Sequence, residues 1–150
     1  MEREAQFVPS LQQLRQLSEV VMRRHHLTHI RYNSLMWYVS FEFANYYTSP
    51  EENTYKKEPD KSIQVPLTEY SKIDFNTYDG KNALIYQIVI YGTEQEEIVN
   101  LKPFNPDSHN LSTRSVMLEP GERICAARVE VDMKYQMYPC QVDFLVYDTV

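Results

Sequence analysis

Glycine is nearly missing from this chain, with three residues in 150. So few glycines cannot build a phosphate-cradling loop, and they leave little backbone that tolerates left-handed conformations without strain. Cysteine is scarce too. Cys125 and Cys140 have neither metal-ligand spacing nor the density of a disulfide scaffold, so nothing favours an oxidising compartment. No stretch approaches the ~18 apolar residues of a membrane helix, and the opening MEREAQFVPS carries no apolar signal core. A soluble, intracellular protein is the expectation. Cationic charge is the minority: 15 lysines and arginines face 21 acids, a formal net charge of -6. Such a balance argues against wrapping nucleic acid, which requires a cationic field to displace counterions from phosphates.

Tyrosine is abundant, with twelve residues. Few glycines and many tyrosines describe a stiff chain with rigid amphipathic side chains, a composition suited to docking. The length suits one domain with an ordinary core.

Ser10 is a good helix N-cap and Gln13 stands at the third position of a capping box. Leu11, Leu14, Leu17, Val20, Val21 and Leu27 then recur near the helical period, against a wet face of Gln12, Arg15, Gln16, Glu19 and Arg23. The spacing predicts an amphipathic helix to about His26, with an apolar stripe that must lie on its own domain or on a partner. From Ser34 the period falls to two. In LMWYVSFEF, Leu35, Trp37, Val39, Phe41 and Phe43 share one predicted face. A loop follows over ANYYTSPEENTYKKEPDKS, and then come SIQVP, SKIDF, NALIYQIVIYG, EEIVNL, TRSVML, ERICAARVEVDM and CQVDFLVY, with turn signals at Asp79-Gly80, Gly92-Thr93 and Pro120-Gly121. The fold class expected is therefore mainly β: an antiparallel sandwich or jelly roll over 34–150, preceded by an N-terminal arm and helix over 1–33.

The last two strands can be paired by parity alone. A hairpin looping through Lys134 to Met137 sets Val131 beside Cys140 and Cys125 beside Val146, and places Arg128 opposite Asp143 on the outer face. The thiols then point inward, about six residues apart, beyond disulfide reach.

Several constellations are weighed against plainer readings. His25 and His29 would lie four apart on a helix, a zinc-like spacing, but no third ligand follows at a helical step. With Arg23, Arg24 and Arg31 they suit a helix C-terminus, where cations meet unpaired carbonyls, or a small basic contact. Asp107, Ser108 and His109 are adjacent in a turn and cannot orient one another as a triad. Glu94, Glu96 and Glu97 belong to a hairpin tip, and Glu130, Asp132 and Asp143 read as solvated charge on an outward face. No catalytic residue, metal or cofactor is expected. Tyr46, Tyr47, Tyr55, Tyr70, Tyr78, Tyr135 and Tyr138 fall mainly in loops or at strand ends, as interface or sugar-stacking tyrosines do.

The order FEFANYYTSP, IQVP, LEPGERICAARVEV, VDFLVYD, from about Trp37 to Asp148, resembles the strand rhythm of lectin-like all-β modules of the jacalin and discoidin type. The resemblance implies a β-sandwich or prism used for binding or attachment. The abundant glycines of those families are missing, as is a glycine-led carbohydrate loop ending in Asp, so no sugar site transfers to any residue. The function expected is a non-catalytic interaction subunit of a larger intracellular assembly, a cytoskeletal one included. It would dock through Leu11, Leu14, Leu17, Val21 and Arg24 and through Tyr46, Tyr47 and Tyr55. The alternative is a carbohydrate- or small-ligand-binding domain.

Overall fold

The computed structural model describes residues 2–4, 26–44, 46–48, 58–78, 84–107, 110–132 and 138–148. Eleven strands run in chain order: β1 (Glu2–Glu4), β2 (Leu27–Tyr32), β3 (Val39–Phe43), β4 (Tyr46–Thr48), β5 (Lys61–Gln64), β6 (Tyr70–Tyr78), β7 (Leu84–Gly92), β8 (Glu97–Leu101), β9 (Leu111–Met117), β10 (Glu122–Val131) and β11 (Pro139–Asp148). They form three sheets, ordered β1-β11-β10, β4-β3-β2-β5 and β8-β7-β6-β9, in which every pairing is antiparallel.

This corrects the expected fold class. Antiparallel sheets do pack on a shared core, but there are three rather than two, and among the described residues every helix or strand is a strand. The predicted helix lies outside the described residues for 10–25, and its last apolar position, Leu27, opens β2 instead. Leu27 pairs with Phe43, and Ile30 sits between Phe41 and Ile63. Leu27 and Ile30 are three residues apart, which a regular strand would put on opposite faces, and the bulge at Thr28 lets β2 use both as core residues. His29 therefore stands in a strand rather than on a helix. The chain start also contributes, since Glu2–Glu4 pairs with Leu145–Tyr147 at the edge of the first sheet.

One core joins the sheets. Phe144 of β11 meets Phe41 of β3 edge-on at 5.4 Å and stacks against Phe75 of β6 at 5.9 Å, with all three rings buried. Ile73, Ile88, Ile90, Val142 and Val146 extend it. The alternation of Ile73/Phe75 and Ile88/Ile90 follows from the two-residue period of a strand with one apolar face.

The β10–β11 register is as parity requires from Ala126 to Glu130, with Arg128 opposite Asp143 and Val129 opposite Val142. Bulges end it at both sides. One, at Cys125, brings Ile124 opposite Val146 and into the core; the other sets Val131 opposite Pro139 rather than Cys140. A bulge inserts one residue and so flips the inward face, which parity alone cannot anticipate.

A turn rather than a bulge revises the start of LMWYVSFEF, while Val39, Phe41 and Phe43 keep the expected inward face. β3 begins at Val39, and before it Met36 takes a left-handed backbone, φ 58°. Asn33 organises this turn: its carbonyl accepts from the Met36 N–H at 2.8 Å and its side-chain oxygen from the Leu35 N–H at 2.9 Å. Asp60 clamps it by accepting from both the N–H and the hydroxyl of Ser34, each at 3.0 Å. Met36 and Tyr38 are consequently buried, while Leu35 is 47% exposed and Trp37 half-buried. Between β9 and β10, Pro120 and Gly121 form the expected turn. Gly121 has φ 85°, which glycine adopts without strain, and the Glu122 N–H closes the turn on the Glu119 carbonyl at 3.0 Å.

Candidate functional site

The face of the β8-β7-β6-β9 sheet turned away from the core carries the most organised polar chemistry in the described residues. Because Ile73, Phe75, Ile88, Ile90, Val99, Leu101 and Val116 point to the core, their alternating neighbours share the opposite face. There the Thr113 hydroxyl donates to Asn76 Oδ1 at 2.6 Å, and Asn76 Nδ2 to Gln87 Oε1 at 2.8 Å. Gln87 Nε2 then donates to Asn100 Oδ1 at 2.7 Å, and Asn100 Nδ2 to Glu97 Oε2 at 3.2 Å. One chain of hydrogen bonds thus crosses all four strands.

Beside it Ser115 donates to Asp74 Oδ1 at 2.6 Å, and Lys72 Nζ stands 3.6 Å from Asp74 Oδ2 and 4.5 Å from the centre of the Tyr91 ring. Asp74 is buried, whereas Asn100, Thr113 and Ser115 are exposed. Linked amides of this kind are held in position before any partner arrives, which lowers the ordering cost of binding.

A second feature is the Trp37–Tyr138 pair, stacked at 5.4 Å and within 8° of parallel, with both rings half-buried. Tyr138 was expected among the surface tyrosines and is one. Tyr70 is not: it is a buried core residue whose hydroxyl donates to the Pro66 carbonyl at 2.9 Å. Burial pushes it up to about 12, against a smaller lowering by Arg123. Tyr46 and Tyr47 pair with Phe43 and Glu42 as the short strand β4. Leu11, Leu14, Leu17, Val21, Arg24 and Tyr55, all expected to bind a partner, lie outside the described residues, as do His25, Ser108, His109 and Tyr135.

Two of the acidic residues need revising, while Glu94, Glu96, Glu97 and Glu130 are exposed as expected. Asp143 is 1% exposed, not solvated; its carboxylate accepts from Arg114 of β9 at 2.9 Å, from Arg128 of β10 at 3.2 Å and from Gln141 at 3.0 Å. Asp132 is buried as well. No group of three or more metal-ligating side chains occurs among the described residues, and His29 instead lies 3.9 Å from Glu42, which Arg31 pairs at 2.8 Å. A depression lined by His26, Thr68, Tyr70, Glu122 and Arg123 measures about 10 Å³, room for roughly one water.

Cys140 is half-buried, and its thiol donates to the Glu130 carbonyl at 3.5 Å. Burial, then the Asp132 and Glu130 carboxylates, push it up to about 11. Thiolate is the reactive form, so at neutral pH it should be about a hundredfold scarcer than for an ordinary thiol. Alkylation of the native chain near pH 7.5, followed by mass spectrometry, should leave Cys140 unmodified until denaturant is added. Rapid native labelling at that position would contradict this account.

No family model matches the chain, and no curated protein is similar to it. Among solved structures the fold is similar to the V. cholerae biofilm matrix protein Bap1, at a TM-score of 0.53 and 12% identity, over 84% of this chain and 21% of that one. The chain thus spans about a fifth of that protein, and the likeness concerns the all-β fold alone. No helix in the described residues is long and apolar enough to cross a membrane.

Proposed function

We propose that the chain is a non-catalytic interaction module that attaches to a larger intracellular assembly, with the outward face of the β8-β7-β6-β9 sheet as its recognition surface. The ladder from Thr113 through Asn76, Gln87 and Asn100 to Glu97 carries this reading. It displays amide and hydroxyl groups in fixed positions, and it includes no nucleophile with an adjacent base, the minimum for covalent chemistry.

The test is a variant that breaks the middle of the ladder. Asn76→Ala with Gln87→Ala should change thermal stability little, as partly exposed polar positions do, by roughly 1 kcal/mol. Purified from its native source, the unaltered chain should come with a defined assembly and the variant without it. Equal recovery of the assembly by the variant would reject this face as the contact.

A second reading is favoured by the Trp37–Tyr138 plate, whose parallel half-buried rings suit stacking on a sugar ring. The structural neighbour bears on it through its description as a biofilm matrix protein. Here the chain would bind a polysaccharide, and Trp37→Ala should abolish retention on a sugar matrix while leaving the ladder intact.

A further inference from the structure

The edges of the three sheets are not alike. β1 and β4 have three residues each, and β5 has four and carries Lys61. β8 bears Glu97, with an irregular register at that end, and β10 is bulged twice and carries Glu122, Arg123, Arg128 and Glu130. Short length, charge and bulges are the devices that keep strand edges from pairing with other chains. β9 has neither short length nor a bulge. It runs seven residues, LSTRSVM, pairs with β6 without a register shift, and has no proline. Its one charge, Arg114, is turned onto Asp143 at 2.9 Å.

The hydrogen-bond parity of this edge is defined. The Leu118 N–H donates to the Ser71 carbonyl at 2.9 Å, in line with the pairing of Met117 with Lys72. Antiparallel pairs alternate between bonded and non-bonded. Ser112, Arg114 and Val116 therefore direct their backbone groups to β6, while Leu111, Thr113, Ser115 and Met117 direct theirs outward. The side chains of those same four residues lie on the sheet face away from the core, and all four are exposed, Leu111 at 53% and Met117 at 61%.

We propose that β9 is a self-association edge that pairs antiparallel with β9 of a second copy of this chain, centred on Arg114, to make one eight-stranded sheet across a two-fold axis. The sequence is self-complementary in that register. Leu111 of one copy falls opposite Met117 of the other, twice, so the exposed apolar groups at the two ends of the strand cover each other. Thr113 falls opposite Ser115, also twice, two small side chains that fit face to face while their hydroxyl protons stay with Asn76 and Asp74 of their own chain. Each of these positions presents outward backbone groups, so every pair is of the bonded kind. The two Arg114 residues come opposite one another, and each is neutralised by Asp143 of its own chain. Such an interface uses the same patch on both copies and closes on itself, so it yields a dimer rather than a filament. The polar ladder next to β9 would then be presented in duplicate, side by side.

The experiment is sedimentation equilibrium on the full chain over a wide concentration range, with the mass expected to rise from 17.8 kDa to twice that value. Leu111→Lys with Met117→Lys places like charges opposite at both ends, and this variant should remain monomeric at concentrations where the unaltered chain is dimeric. Leu111→Lys with Met117→Glu places opposite charges there and should restore the dimer. Both positions are more than half exposed, so the circular dichroism and melting of the single chain should be unchanged in each variant. A monomeric unaltered chain, a dimer that persists in the double-lysine variant, or a lysine–glutamate variant that stays monomeric would each overturn the proposal. The last outcome specifically excludes the register centred on Arg114.

Discussion

Phe144→Ala should lower the unfolding free energy by about 3–5 kcal/mol, the usual cost of removing a buried aromatic ring. The ring is fully buried and touches Phe41 in one sheet and Phe75 in another while belonging to the third. Its loss opens a cavity at the point where the three sheets meet, and sheets packed from three directions cannot all close on it. Total stability of a domain this size is on the order of 5–15 kcal/mol, so the variant should be marginal at physiological temperature. Urea unfolding of the two proteins measures the difference. A loss under about 1 kcal/mol would mean that the sheets do not share this core. Phe144→Leu, which refills most of the volume, should recover a good part of the stability.

The second large effect is expected at Asp143. Its carboxylate is buried and holds Arg114 from β9 and Arg128 from β10, and so ties the edge of one sheet to the hairpin of another. Asp143→Asn keeps the shape and removes the charge. Breaking a buried ion pair from one side costs about 3–5 kcal/mol when the surviving charge stays desolvated. Here the arginine side chains are 33% and 47% exposed and can turn to water, which brings the expectation down to roughly 2–3 kcal/mol. In a chain of this length that corresponds to a fall in melting temperature of roughly 4–12 °C. Arg128→Ala should cost under about 1 kcal/mol, because Asp143 keeps Arg114 and Gln141. Equal losses in the two variants would show that the carboxylate is not the centre of the cluster.

These residues mark how far local pattern reaches. The Arg128–Asp143 pair and the five-residue register around it follow from parity, because a hairpin of known loop length has little choice of pairing. That Arg114 joins them from β9 is invisible in the sequence, since 29 residues separate it from Asp143 and nothing local points to its partner. The same holds for the ladder. Asn76, Gln87 and Asn100 are unremarkable polar residues of three different segments, and only the sheet order β8-β7-β6-β9 lines them up. Had the four strands been placed in register beforehand, the alternation of Phe75 with Asn76 and of Ile88 with Gln87 would have been the signal.

What the chain determined by itself is most of the strand content from Val39 onward, the short β4 inside the expected loop excepted, together with the antiparallel character, the inward face of β3 and of the middle of the β10–β11 hairpin, and the turn at Pro120-Gly121. All of these arise from interactions within a few residues: the two-residue period, β-branched and aromatic composition, and the backbone freedom of glycine. Tertiary structure decided the rest. Leu27 fits a helical stripe as well as a strand, and the pairing of β2 with β3 and β5 selects the strand, because the hydrogen bonds and core contacts offered by two neighbours outweigh a weak local propensity. The bulge at Cys125 and the left-handed turn at Met36 each reverse the face that parity had assigned to the residues before them, so Ile124 and Met36 turn inward while Ala127, Val129, Val39 and Phe41 keep the expected inward face. The grouping into three sheets, and the exposed regular edge at β9, depend on which distant strands pair, and the free energy of that choice resides in contacts between segments rather than in any one of them.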